Sequence, residues 1–103
     1  MSDQHIAAFW KVREGSEEEF VTRWKAFTSW SIENAPGAKS FTLLHNQVES
    51  QYFISYGVWT DSESIHAWWE TPGFGERYES VRELCEDHHG AEHTLEALLT
   101  TVS

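Results

Sequence analysis

Cysteine is almost missing from this chain: Cys85 stands alone among 103 residues, so no internal disulfide can form. Basic residues are scarce as well. Seven Lys and Arg face 17 Asp and Glu, a formal charge of −10, and a field of that sign repels phosphate backbones and anionic lipid. It argues against nucleic acid and membrane surfaces as partners. No apolar run approaches the roughly 18 residues that a membrane span needs, and the start, MSDQHIAAFW, has neither the basic region nor the apolar stretch of a signal peptide. These absences predict a cytoplasmic protein. Linkers, low-complexity tracts and repeats are also lacking, as are a Ser-His-Asp string, a glycine-rich phosphate loop and a dinucleotide fingerprint. What remains reads as one domain, 1–103, able to bury roughly two-thirds of the surface that its unfolded chain exposes.

The punctuation along the chain is local and regular. HIAAFWKVR (5–13) is apolar and alternating enough for a strand. Ser16 with Glu19 three residues on reads as a capping box for a helix with Phe20, Trp24 and Phe27 on one face, ended near Asn34 by NAPG. Residues 39–48 and 51–60 are strand-like runs parted by Glu49-Ser50, a hairpin. Thr60 or Asp61 caps a second helix, with Glu63 placed to complete a box from Thr60. Pro72 and Gly73 interrupt it, and Phe74, Tyr78, Val81 and Cys85 carry a further helix to about His88. AEHTLEALLTTVS (91–103) fits helix and strand spacing alike and is taken as the closing strand.

That order is the split βαβ plan of an α+β, ferredoxin-like fold, βαββαβ with an antiparallel sheet and a second helix interrupted near Pro72. Its helices cover one sheet face only. Both parities of the strands are nevertheless apolar: Ile6, Trp10 and Val12 against Ala7 and Phe9, and Tyr52, Ile54, Tyr56 and Val58 against Phe53 and Trp59. The expected cover for the second face is another copy of the chain, a C2 homodimer through the sheet; the alternative is a monomer with apolar rim residues.

Trp59, a capped helix with Trp68 nine residues later, TPGF ending at Phe74, a further helix and a last strand, all after EGSEEEF, resemble the antibiotic biosynthesis monooxygenase superfamily of dimeric α/β barrels. The resemblance implies a pocket between helices and sheet suited to a small hydrophobic aromatic ligand. It also implies oxidation of a phenolic or polycyclic, polyketide- or quinol-like substrate by dioxygen without a cofactor. A deprotonated electron-rich phenol can itself pass an electron to dioxygen, so the protein needs to bind, orient, exclude water and favour the anion. A haem-degrading branch of the family carries an Asn on the first strand and a haem-ligating His ten residues after the Trp. Here Ala8 and Tyr78 take those places, which leaves haem without its imidazole, although a Tyr can ligate ferric haem. A non-redox binding or cyclising module for a hydrophobic metabolite is the remaining alternative.

By this resemblance Trp68 is a pocket wall and Tyr78 the candidate catalytic residue, its phenol placed to hydrogen-bond a substrate carbonyl or phenolate. Tyr78 reads more simply as an amphipathic core tyrosine with its hydroxyl at the rim. Candidate substrate contacts are His45, Tyr52, Trp59, Phe74 and Arg77; His45 and Tyr52 also read as ordinary strand residues, and Arg77 as a partner for Glu70 or Glu76. Trp69, about 100° around the helix from Trp68, packs on the helix flank or a partner. His66 with Glu70 at i+4 reads as a solvated pair. EDHHGAEH gathers Asp87, His88, His89 and His93, but the spacing matches no standard zinc pattern, and no metal is expected. Acidic Glu86 and Asp87 after Cys85 argue against a reactive thiolate.

Overall fold

The computed structural model describes residues 3–101. Its elements are β1 (Gln4–Val12), α1 (Glu17–Asn34), β2 (Ala38–His45), β3 (Tyr52–Trp59), α2 (Ser62–Glu70), α3 (Phe74–Arg82) and β4 (Cys85–Thr94). The four strands form one antiparallel sheet in the order β2-β3-β1-β4, so the chain has the expected ferredoxin-like α+β fold. No helix among the described residues is long and apolar enough to cross a membrane.

The alternation of β3 sets the two faces: Phe53, Ser55, Gly57 and Trp59 are buried under the helices, while Tyr52, Ile54 and Tyr56 are exposed on the other side. Phe20, Trp24 and Phe27 of α1 meet Trp10 and Val12 of β1, Phe53 and Trp59 of β3, Ile65 and Trp68 of α2, and Val81 of α3 in one core. Each such side chain contributes about 1.5–3 kcal/mol by leaving water. Tertiary packing of this stripe, with three glutamates in the first turn facing the positive end of the helix dipole, holds α1. Gly37, at φ 99°, turns the chain from α1 into β2 where a Cβ would strike the Ser64 side chain.

Several local expectations change. The Ser16 side chain makes no capping bond; instead the Glu17 carboxylate accepts the Gly15 N–H at 2.8 Å. Of the two cap candidates for α2, Asp61 is used, accepting from the Ser64 N–H at 2.8 Å, while Thr60 meets the Ser64 hydroxyl. The β2–β3 turn is longer than two residues, because the Asn46 side chain accepts the Val48 and Glu49 N–H groups and folds residues 46–51 into a loop. Pro72 and Gly73 do separate two helices, Gly73 in the left-handed region.

The largest change lies at the C-terminal end. α3 stops at Arg82 and β4 begins at Cys85, pairing with the free edge of β1 over Gln4–Val12. Unpaired backbone groups on that edge outweigh the weak helical pattern through Cys85. β4 ends at Thr94, and residues 95–101 take no regular structure, with Leu95, Leu98 and Leu99 exposed. The histidine-rich stretch is therefore a strand whose neighbours alternate between faces. Among the described residues no group of three or more His, Cys, Asp or Glu gathers to hold a metal.

Candidate functional site

The register of the sheet places Ser55, Ala8 and Gly90 side by side on β3, β1 and β4, with Gly57 opposite Ile6 two pairs further along, on the same face. Small side chains on three adjacent strands leave a shallow floor. Above it stand large ones: Trp24, Phe27 and Thr28 from α1, Trp68 and Trp69 from α2, Phe74 and Tyr78 from α3. The space between is a cavity of about 320 Å³, within the size class of small-molecule sites. Its floor is held open by what is missing there.

The walls are aromatic and ordered. Trp68 stacks on Phe27 at 5.6 Å, lies 4.7 Å from Trp59 and meets Phe74 edge-on at 4.9 Å. Its indole N–H donates to the buried Ser31 hydroxyl at 2.9 Å, and Ser31 donates to the Phe27 carbonyl. That bond answers which way Trp68 faces, because the ring is pinned between α1 and the cavity. On the opposite side the Trp10 N–H donates to Ser55 Oγ at 2.9 Å, and the Thr28 hydroxyl donates to the Trp24 carbonyl. These polar groups are satisfied internally and present hydrocarbon to the cavity.

One pair differs. Tyr78 Oη lies 2.9 Å from His88 Nε2 and 3.3 Å from Nδ1, and His88 packs against Trp10 at 4.3 Å. Burial pushes the Tyr78 phenol up, reinforced by Glu79 and Cys85 and opposed by Arg82. Burial holds His88 below the ordinary imidazole range, helped by Arg82 and His89 and opposed by Asp87. Both shifts favour uncharged forms, so at neutral pH a protonated Tyr78 phenol faces a neutral imidazole. Among the described residues no Asp, Glu, Lys or Arg lines the cavity, despite the acidic chain around it. The interior is an uncharged and mainly aromatic space that includes the Tyr78–His88 pair in its lining.

Of the residues singled out in the sequence, Trp68, Phe74 and Tyr78 line this cavity together, with Tyr78 and Phe74 stacked at 5.4 Å. Trp59 is fully buried behind Trp68 and supports it without lining the space; its N–H has no hydrogen-bond partner among the described residues, and the ring meets Phe41 edge-to-face at 5.9 Å. The others fall elsewhere. His45 stacks flat on Phe53 at 4.0 Å, with Nε2 2.7 Å from the Ser50 carbonyl, and does not line the cavity because β2 ends there. Tyr52 points to the opposite face of the sheet, with the Lys11 ammonium 5.8 Å from its ring. Arg77 lies outside over the Trp30 ring at 4.7 Å instead of pairing with Glu70 or Glu76. His66 meets Glu92 of β4 at 3.1 Å rather than Glu70, and stacks on Trp69, which lines the cavity and is half exposed. His88 and Trp10 were not among the candidates. Reading DHHGA as a strand, with alternate residues facing in, would have found His88.

The sequence model of the family described as antibiotic biosynthesis monooxygenase matches residues 4–79. Among solved structures, SnoaB, a cofactor-independent oxygenase from Streptomyces nogalater, superposes with a TM-score of 0.88 at 20% identity, covering 98% of this chain and 100% of that one. A putative antibiotic biosynthesis monooxygenase from Bordetella bronchiseptica gives a TM-score of 0.82 at 14% identity over 94% and 100% of the two chains. One from Nitrosomonas europaea gives 0.79 at 17% over 91% and 90%. These likenesses speak to the fold. No curated protein matches the sequence.

Proposed function

The chain belongs to the antibiotic biosynthesis monooxygenase family, and from that premise we propose that it oxidises a planar phenolic or polycyclic aromatic substrate with dioxygen, using no cofactor. The observation that carries this reading is the cavity itself: aromatic walls, a floor of Ser55, Ala8 and Gly90, no Asp, Glu, Lys or Arg among the described residues of its lining, and the Tyr78–His88 pair within that lining. SnoaB, a cofactor-independent oxygenase of the same fold, supports it by analogy.

For an anthrone-like substrate the balance is that a ring methylene and one dioxygen molecule give a ring carbonyl and one water molecule. Loss of a proton makes the substrate an electron donor; one electron passes to dioxygen, the two radicals combine, and the resulting peroxide loses water. The chain's tasks are to hold the ring between Trp68 and the floor, keep bulk water out, and offer the Tyr78 hydroxyl to the oxygen on which charge develops. The outer sheet face, where Phe9 is 59% and Leu44 51% exposed beside Ile54, Tyr56 and Tyr52, fits a second copy of the chain. Sedimentation as a dimer, abolished by Phe9→Glu, is the expected outcome for that face.

The test is oxygen uptake by purified protein with 1,8-dihydroxyanthrone, after chelation and without flavin or metal. Turnover above the spontaneous rate, reduced by Tyr78→Phe, is expected. Tight binding with no oxygen uptake would replace the reading with a non-redox binding module, and a Soret shift on adding haemin would move it to haem.

A further inference from the structure

His88 lies beyond the residues that the family model matches and is the point at which two cavities meet. On one side it lines the aromatic cavity. On the other it lines a polar pocket of about 140 Å³ whose remaining walls are Arg82, Cys85, Glu86 and Asp87. We propose that Tyr78 and His88 form a proton relay from the bound phenol to solvent on the outer side of α3 and β4. The proposal rests on the oxidation described above and names the group that receives the substrate's proton.

The geometry admits the transfer without rearrangement. Tyr78 lines the cavity and its Oη is 2.9 Å from His88 Nε2, so in the relay it accepts the phenol's proton as it passes its own to the imidazole. The products are a phenolate, an unchanged Tyr78 and an imidazolium; no electron moves in this step. The imidazolium then loses its proton to water in the outer pocket, and solvent returns one when the peroxide is protonated. The groups around His88 favour fast release. Arg82 from α3 and His89 from β4 disfavour the imidazolium and Asp87 favours it, while burial against Trp10 of β1 favours the neutral ring. Glu79 holds the Arg82 guanidinium at 3.0 Å, and Lys11, across from Asp87 on β1, is occupied by Glu86 at 3.5 Å.

The experiment measures oxygen uptake with 1,8-dihydroxyanthrone from about pH 5 to pH 9, spanning the ordinary histidine range, for wild type, His88→Gln, Tyr78→Phe and His88→Ala with and without added imidazole. Wild type is expected to gain rate with rising pH through a limb below the ordinary histidine value. His88→Gln and Tyr78→Phe should each lower kcat by about 10²–10⁴-fold and lose that limb. Imidazole should restore His88→Ala in proportion to its concentration, reaching the gap from the outer pocket. Far-UV circular dichroism checks that each variant is folded. A folded His88→Gln with wild-type rate and pH profile overturns the relay alone. So does a His88→Ala loss that imidazole leaves unrepaired while the pH limb persists, which assigns His88 a packing role. A silent wild type overturns the oxidation and the relay with it.

Discussion

Ser31→Ala tests how the cavity wall is held. Ser31 is fully buried, donates to the Phe27 carbonyl at 2.8 Å and accepts the Trp68 N–H at 2.9 Å. The first bond is dispensable, since the Phe27 carbonyl sits inside α1 and Ala is the better helix former by a few tenths of a kcal/mol. The second is not. Removing it strands an indole N–H on a side chain only 6% exposed, which costs about 1–3 kcal/mol. For a domain of this size each kcal/mol moves Tm by about 4–8 °C, so urea and thermal unfolding resolve the effect. Trp68→Phe removes the N–H and supplies the control: in that background Ser31→Ala should cost almost nothing, giving a coupling energy above about 1 kcal/mol in the double-mutant cycle. Equal costs of Ser31→Ala in both backgrounds would refute the account of Trp68's orientation.

The glycines of the floor should separate by their surroundings. A Cβ at Gly90 meets Ala8 Cβ at 3.5 Å and His88 Nε2 at 3.7 Å, ordinary contacts, whereas one at Gly57 meets the Phe41 ring at 3.0 Å. Gly90→Ala should fold with undiminished Tm and bind planar ligands more weakly, and Gly57→Ala should lower Tm. His88 has a depressed pKa, so the unfolded chain binds its proton more readily. Its contribution to stability is full above the ordinary value of 6.5 and is lost as pH falls through the lower folded value. Tm measured on the acid side should therefore fall less steeply for His88→Gln than for wild type; identical slopes would contradict the shift. Burial, opposed by Arg13 and Arg82, pushes the Cys85 thiol up to about 11, so iodoacetamide at about pH 8 should label it far more slowly in folded than in urea-unfolded protein.

Periodicity carried most of the fold because its elements alternate cleanly. The three apolar residues of α1, both parities of β1 and β3, and the break at Pro72 are all found where the patterns put them. Two kinds of information were illegible. Strand pairing is non-local, so nothing near Cys85 announced that the β1 edge would take Asp87–His93 as partner and turn a cluster of metal-ligand types into an alternating strand. Cavities are written in small residues, and Ala8, Ser55, Gly57 and Gly90 carry no signal until the register sets them on one floor. Trp68, Phe74 and Tyr78 meet at one cavity because large side chains at helical spacing must face something. His45, Tyr52 and Arg77 lie away from the aromatic cavity, His45 and Tyr52 lining a separate pocket at the β2–β3 end, because proximity to a turn or to Tyr78 along the chain says little about the direction of a side chain.

The central claim is that this cavity, in the protein alone, brings an aromatic substrate and dioxygen to reaction. The most direct measurement is single turnover of 1,8-dihydroxyanthrone under ¹⁸O2 by chelator-treated protein, with mass analysis of the product. The account predicts one ¹⁸O atom in the product carbonyl, formed faster than in the protein-free control and suppressed in Gly90→Leu, whose side chain fills the floor. Product oxygen drawn from water, or a rate that Gly90→Leu leaves unchanged, would contradict it.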